Sequence, residues 1–186
     1  MDLKNYVTIF DNVLPNETIN KFIKVSKTLN LDLGKVDTGD VNPNIRKVNI
    51  YDFSAIDESL TNVHWYNFFS FVFLNCTKNY IQEKNINIYY AGQIQGLQFL
   101  RYSQGDHYEY HYDQAPGQQR SISCILFLNE DYEGGDIFFK NPDGQNEYTI
   151  NKKKNRMIVW PSNFLFPHKV GPITKGERMS LVSWIT

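Results

Sequence analysis

The triplet His111-Tyr112-Asp113 combines two side-chain types that bind divalent metal ions. In an extended segment, residues two positions apart project to the same side, so His111 and Asp113 can bind one ion together. His168, in a later strand-like segment, is the clearest third ligand. His107 shares strand parity with His111 and is a rival, but the short loop of the triplet favours His111. The pattern predicts a metal site with open coordination positions.

Arg178 is the second chemical signal, because it lies ten positions after His168 and is one of only five arginines in the chain. Two histidines and one carboxylate on one face of a metal form the facial triad of non-haem Fe(II) oxygenases. An oxygenase of this kind that uses 2-oxoglutarate needs a cation for the distal carboxylate of that cosubstrate. A guanidinium group binds a carboxylate in bidentate fashion. Arg178 therefore predicts a cosubstrate site beside the metal.

Composition and missing motifs exclude several other functions. The 186 residues are 41% hydrophobic and 21% charged, as in a folded protein with one sizeable core. A net charge of −1 argues against a dedicated nucleic-acid binder and against attachment to an anionic membrane. No GxSxG, GxGxxG, GxxxxGK[ST] or HExxH pattern occurs. Cys76 and Cys124 are too few for a disulfide framework.

The N-terminus has no apolar stretch of the signal-peptide type, so the sequence predicts an intracellular, cytoplasmic protein. Abundant Asn, Lys and Ile with scarce Ala are typical of an AT-rich genome, such as that of a virus or a streamlined microbe.

Hydrophobic periodicity changes from helical to strand-like near residue 93. Helical spacing predicts helices over Pro15–Leu29 and Asn62–Lys84, with Asn62 as the cap of the second. Short strands are predicted over Tyr6–Phe10 and Lys47–Phe53, and Leu31–Asn44 is predicted to be a loop. Alternation and turn signals predict eight further strands: Gln93–Tyr102, Asp106–Asp113, Ser121–Leu128, Asp136–Phe139, Glu147–Ile150, Met157–Trp160, Phe164–Val170 and Met179–Ile185. Strands at this spacing indicate a barrel or jelly roll, with the two helices packed on one outer face.

The segment from about Leu97 to Trp184 resembles the Fe(II)/2-oxoglutarate-dependent oxygenases of the prolyl 4-hydroxylase type. The matching positions are Tyr102, Gly105, Tyr108, His111, Asp113, Arg120, Leu126-Phe127-Leu128-Asn129, Gly134-Gly135-Asp136, Pro167-His168, Val170, Gly176, Arg178 and Trp184. The resemblance implies a mainly β, double-stranded β-helix (jelly roll, cupin-like) with N-terminal helices packed on one sheet. It predicts a single domain over residues 1–186, with 1–92 as an α/β support region and 93–186 as the β-helix core.

The resemblance also assigns roles to residues. His111, Asp113 and His168 would hold iron, Arg178 and Tyr102 would bind 2-oxoglutarate, and Arg120, Trp184 and Tyr108 would line the substrate pocket. Phe127 and Ile137 depart from the pattern, since some members have a carboxylate-binding Tyr or a Thr at these positions. Fewer hydroxyl contacts to the cosubstrate are therefore expected, and Ser123 is the residue expected to compensate.

The implied activity is hydroxylation of a prolyl residue in a peptide or protein, coupled to conversion of 2-oxoglutarate to succinate and CO2. Fe(II), 2-oxoglutarate and O2 would be required, with ascorbate as a reductant. Leu31–Asn44 and the turn Ala115-Pro116-Gly117 would flank the substrate groove. One alternative is hydroxylation of a free amino acid or other small molecule. A less favoured one is AlkB-like nucleic-acid demethylation, because that family has a second Arg where this chain has Trp184. The sequence predicts no nucleic-acid or membrane partner and leaves the oligomeric state open.

Overall fold

The computed structural model describes residues 2–36, 39–54, 59–87, 92–114, 117, 119–141 and 147–186. These ranges contain a 3-10 helix over Leu3–Tyr6 and two α-helices, α1 (Asn16–Ser26) and α2 (Leu60–Glu83). The strands are β1 (Thr8–Asp11), β2 (Asp32–Leu33), β3 (Arg46–Lys47), β4 (Asn49–Asp52), β5 (Ile94–Tyr102), β6 (His107–His111), β7 (Ile122–Phe127), β8 (Glu133–Gly134), β9 (Ile137–Lys140), β10 (Glu147–Ile150), β11 (Arg156–Pro161), β12 (His168–Val170), β13 (Ile173–Lys175) and β14 (Arg178–Ile185).

Two antiparallel sheets carry the fold. The major sheet has seven strands in the order β1-β11-β7-β14-β5-β4-β2, and the minor sheet has five in the order β10-β9-β12-β6-β3. The short strands β8 and β13 form a separate pair. Apolar residues of both sheets share one buried cluster, so the sheets pack face to face. This is the double-stranded β-helix that the sequence predicted, with few helices.

Alternation along the central strands of the major sheet gives each face its own core. One face packs against α1 and α2 through Leu97, Phe99, Ile122, Leu126, Met157, Val159 and Leu181. The other face meets the minor sheet through Leu100, Tyr102, Ile125, Phe127, Ile158, Trp160 and Val182. The expected packing of the N-terminal helices on one sheet is therefore observed.

The N-terminal region does more than support the sheets from outside. It contributes β1, β2 and β4 to the major sheet and β3 to the minor sheet. The predicted strand Lys47–Phe53 is in fact split at the buried Val48, and its two parts enter different sheets. The predicted loop Leu31–Asn44 contains β2, which pairs with β4.

Two predicted boundaries are wrong for local reasons. Phe164 to Pro167 do not continue β12, because the side chain and carbonyl of Asn163 bond to the backbone N–H groups of Leu165 and Phe166 and close a turn. Asn62 is not the cap of α2, since the helix begins at Leu60 and the Ser59 hydroxyl accepts the Asn62 N–H. Over the ranges given above, no helix combines the length and the apolar character that a membrane crossing needs.

Candidate active site

Strand pairing brings the three predicted metal ligands together. His111 ends β6 and His168 begins β12, and the two residues are direct partners across the antiparallel pair. Asp113 follows β6 after one intervening residue. Ligand atoms of all three side chains lie within 4.8 Å of one another. His168 Nε2 is 3.5 Å and His111 Nε2 is 3.9 Å from the nearer carboxylate oxygen of Asp113.

Each of these side chains is oriented by a hydrogen bond on its far side. Nδ1 of His111 donates to the Glu109 carbonyl at 2.9 Å, and Nδ1 of His168 donates to the Phe166 carbonyl at 3.0 Å. These bonds require the proton on Nδ1 and leave both Nε2 lone pairs directed at Asp113. The Ser123 hydroxyl donates to Asp113 Oδ2 at 2.6 Å. The expectation that Ser123 supplies a hydroxyl to the cosubstrate is therefore wrong, since its hydroxyl holds the carboxylate of Asp113.

The protonation states suit metal binding at neutral pH. Burial, with the neighbouring charge of His168, lowers the pKa of His111 to about 3, so its imidazole is neutral. Burial alone would raise the pKa of Asp113, but His168, His111 and the Ser123 hydrogen bond outweigh it and keep that pKa below its usual range. Imidazole nitrogens and a carboxylate oxygen are hard-to-borderline donors of the set that suits Fe(II).

A bulge in β6 separates His107 from this group. His168 pairs with His111 while Val170 pairs with Tyr108, so three steps on β6 match two on β12. The extra residue places Tyr108 on the same side as His111, and the two rings stack with centroids 3.6 Å apart. His107 instead lies near the carbonyls of Gly105 and Asn44. Strand parity alone therefore could not rank the two histidines.

The triad opens onto a cavity of about 540 Å³ between the two sheets. All three predicted pocket residues, Tyr108, Arg120 and Trp184, line it. The Arg120 guanidinium lies over the Trp184 ring at 3.8 Å and donates to the Asp113 carbonyl at 3.1 Å. The rim includes Asp32 to Val36 and Gly39 from the predicted loop. Ala115 and Pro116 of the predicted flanking turn lie outside the described residues.

Arg178 is fully buried and next to Tyr102, as their pairing across β14 and β5 requires. Its guanidinium carbon is 5.0 Å from the Tyr102 ring and 5.3 Å from the Phe127 ring. None of its three side-chain nitrogens has a hydrogen-bond partner among the described residues. An unpaired buried cation is costly, so this site requires an anion. The residues therefore fit a metal-chelating cosubstrate with a distal carboxylate.

Three further residues at this site were not singled out from the sequence. Trp160 packs edge-on against His168 at 5.0 Å, and its indole N–H is buried without a partner in the part of the chain that the structure describes. Arg46 lies over the Tyr108 ring at 4.7 Å and donates to the Lys35 carbonyl, which ties the rim segment to the site. Tyr132 reaches Arg178 from the loop after β7. Only its place just before Gly134-Gly135 could have drawn attention to it.

Comparisons with known proteins agree with this geometry. Residues 97–186 match the family model of the 2OG-Fe(II) oxygenase superfamily. A PKHD-type hydroxylase of Herminiimonas arsenicoxydans is 37% identical over 97 residues, which are 47% of this chain and 41% of that protein. The chain thus spans about two fifths of the length of this curated relative.

Solved structures with this fold cover nearly the whole chain. A prolyl-4-hydroxylase of Pseudomonas putida aligns over 97% of this chain and 92% of its own, with a TM-score of 0.71 and 22% identity. A prolyl hydroxylase from Trichoplax adhaerens, in complex with a hypoxia inducible factor peptide fragment, aligns over 97% and 83%, with a TM-score of 0.75 and 17% identity. Residues 97–186 are thus similar to the 2OG-Fe(II) oxygenase superfamily in sequence, and the fold of the chain is that of the solved prolyl hydroxylase structures.

Proposed function

We propose that this protein is an Fe(II)- and 2-oxoglutarate-dependent dioxygenase that hydroxylates a prolyl residue in a peptide or protein. The observation that carries the proposal is the pairing of two sites in one fold. A His-Asp-His group opens onto the cavity, and a fully buried arginine without an anion lies next to Tyr102, which lines the same cavity. One molecule with a chelating head and a distal carboxylate would occupy both.

In this proposal each side chain has a defined task. His111, Asp113 and His168 hold Fe(II), and Arg178 with Tyr102 binds the distal carboxylate of 2-oxoglutarate. When bound, Fe(II) and 2-oxoglutarate would together activate O2, the oxidant of the reaction, and 2-oxoglutarate would supply two electrons by its conversion to succinate and CO2. Tyr108 holds the ring plane of His111 by stacking on it. Arg120 fixes the Asp113 backbone and, with Trp184, forms the wall that a substrate would contact.

The activity is tested by succinate formation from 2-oxoglutarate with Fe(II), O2 and ascorbate, against a panel of proline-containing peptides. His111→Ala should abolish substrate-coupled turnover. His107→Ala is the matched control, because it removes an imidazole on the same strand outside the triad, and it should leave turnover near the wild-type rate. Wild-type turnover in the His111 variant would remove that residue from the metal site.

The peptide substrate is the finer part of the proposal. Its support is the peptide complex of the Trichoplax adhaerens neighbour and the hydroxylase names of the curated relatives. The same panel should include free proline and other small amino acids, because the alternative function is hydroxylation of a small molecule. Succinate formation with a free amino acid and with none of the peptides would favour that alternative and would leave the oxygenase assignment in place.

A further inference from the structure

Tyr132 is the second tyrosine that reaches Arg178. It is 5% exposed, and its hydroxyl has no hydrogen-bond partner within the described ranges. Burial raises the pKa of this phenol, and the guanidinium of Arg178 opposes that rise, so the charge lies close by. Tyr102 shows the same two effects from the neighbouring strand. Arg178 therefore has two neutral phenols beside it.

The loop that carries Tyr132 is fixed to the start of β14. The Asn129 side chain donates to the Glu177 carbonyl at 2.8 Å and accepts the Met179 N–H at 2.8 Å. Glu177 and Met179 flank Arg178, so Asn129 bonds to the backbone on both sides of it. These two bonds set the distance between the loop after β7 and the guanidinium.

Gly135 leaves the space in which Tyr132 and Arg178 meet. It has a positive φ of 65°. A Cβ there would lie 2.3 Å from Ile173 Cδ1, 3.2 Å from Tyr132 Cε2 and 3.4 Å from Arg178 Cδ. A Cβ at this position would clash with Ile173 and press on the Tyr132 ring, and it would be in ordinary contact with Arg178. The glycine thus permits direct approach of the phenol to the arginine.

The group formed by Arg178, Tyr102 and Tyr132 is rich in donors and has no anion beside it among the described residues. A guanidinium has only N–H donors, and a neutral phenol can donate its proton. None of the three guanidinium nitrogens of Arg178 has a well-aligned hydrogen-bond partner among the described residues. A carboxylate supplies the missing acceptors, since its two oxygens can take several hydrogen bonds at once.

We propose that the Tyr132 hydroxyl donates a hydrogen bond to the distal carboxylate of 2-oxoglutarate and makes up for the hydroxyl that Phe127 lacks. The inference rests on the proposed function, because it places the cosubstrate at Arg178. The phenol comes from a different position, five residues beyond Phe127, and approaches from the loop after β7. The site then has two phenols on one carboxylate, Tyr102 and Tyr132, despite the departure at Phe127.

The test measures the dissociation constant of 2-oxoglutarate for the Fe(II)-loaded full chain under anaerobic conditions. The metal-to-ligand charge-transfer absorbance reports binding. Tyr132→Phe removes one hydroxyl and should weaken binding about tenfold or more, as expected for a lost hydrogen bond to a charged group. Tyr148→Phe is the control, because that half-buried tyrosine packs on Phe139 and against the Lys4 ammonium, whereas Tyr132 packs toward Arg178. It should bind 2-oxoglutarate as the wild type does.

A second ligand separates a direct contact from a structural effect. 2-Oxovalerate has the same chelating head and chain length but a methyl group in place of the distal carboxylate. Tyr132→Phe should not change the dissociation constant for 2-oxovalerate. An equal loss for both ligands, or no loss for 2-oxoglutarate, would overturn the role of Tyr132 and leave the proposed function standing. No charge-transfer band in the wild type would overturn both.

A rescue experiment tests whether a phenol at position 127 can replace the phenol of Tyr132. Phe127→Tyr adds a phenol whose ring already lies 5.3 Å from the guanidinium carbon. Combined with Tyr132→Phe, it should restore most of the lost affinity for 2-oxoglutarate. If the double variant has a wild-type melting temperature and binds no better than Tyr132→Phe alone, the two positions do not serve the same carboxylate and the proposed compensation fails.

Discussion

The two faces of the major sheet each carry a buried apolar cluster, but they differ in the polar groups that they bury. On the face toward the helices, the hydroxyls of Thr77 and Tyr80 bond to backbone carbonyls at 2.9 Å each. On the face toward the minor sheet, Arg178, Trp160 and Tyr132 keep buried donors without partners among the described residues. Thr8 on β1 and Ser70 on α2 also have unpaired buried hydroxyls, but the unpaired guanidinium and indole of the described residues belong to the second face.

This difference distinguishes residues that stabilise the fold from residues that would bind a ligand. Buried polar groups in folded proteins are nearly always paired, so a cluster of unpaired donors marks a place for a ligand. The aromatic contacts of the helix face, such as Phe22 with Phe69 at a centroid distance of 4.7 Å, need no ligand. We therefore expect substitutions on the helix face to change the free energy of unfolding, and those on the site face to change binding.

The largest effect is expected from Asp113→Asn. The substitution keeps the shape of the side chain but removes the negative charge that a hard metal ion requires. Fe(II) binding, measured by anaerobic titration, should fall below detection, and turnover should be lost. The melting temperature without metal should stay close to that of the wild type. A large drop in that temperature would mean that the site face also carries stability.

The opposite result is expected from Phe22→Ala on the helix face. Phe22 is fully buried and its ring contacts Trp65, Phe69 and Phe99. Removing it should cost about 3–5 kcal/mol in the free energy of unfolding, measured with urea. At low temperature, where the variant is still folded, its affinity for Fe(II) should equal that of the wild type. A loss of metal affinity in the folded variant would show that the two faces are coupled.

Much of the site face could be predicted because its strongest signals are local. The spacing of His111 and Asp113 and the ten-position separation of His168 and Arg178 can be read without knowing the register of the sheet. His107 could not be excluded in this way, since the bulge in β6 depends on pairing with β12 and leaves no mark in the sequence. The role of Ser123 was also hidden, because its bond to Asp113 joins β7 to the residues after β6.

The helix face was predicted for a different reason. Helical spacing in the two N-terminal segments and period two in the strands decide which residues are buried. Strand boundaries were harder to predict where a side chain binds backbone N–H groups that could otherwise pair with a neighbouring strand, as Asn163 does before β12. Tyr132 was missed because its neighbour Arg178 is distant in sequence and the two meet only through the Asn129 bonds and the gap at Gly135.

A smaller effect, confined to the cosubstrate, is expected at Arg178. Arg178→Lys keeps the charge and loses the planar fork, so affinity for 2-oxoglutarate should fall moderately. Arg178→Gln also removes the charge, and the loss should reach about 1.5–3 kcal/mol, or roughly ten- to a hundredfold. Fe(II) affinity should not change in either variant. If Arg178→Gln bound 2-oxoglutarate as tightly as the wild type, the carboxylate site would have to lie elsewhere.

The smallest effect on stability is expected at β1, the edge strand of the major sheet. Asp11 on β1 accepts hydrogen bonds from Arg156 on β11 and from Lys153, and these hold its pKa well below the usual range. A carboxylate with a lowered folded-state pKa adds stability above its unfolded pKa of about 4 and loses it as pH falls toward the folded value.

Asp11→Asn should therefore reduce the free energy of unfolding by about 0.5–1 kcal/mol at pH 7, since the pair is only partly shielded from water. The difference from the wild type should shrink as pH falls below about 4, because the wild-type carboxylate then becomes protonated in the unfolded chain. Glu17→Gln, which breaks an exposed pair with Lys21 on α1, is the matched control and should change stability less. Urea unfolding at several pH values measures both variants. A loss in the Asp11 variant that is as large at pH 3 as at pH 7 would assign the effect to packing at the sheet edge, with no part for the ion pair.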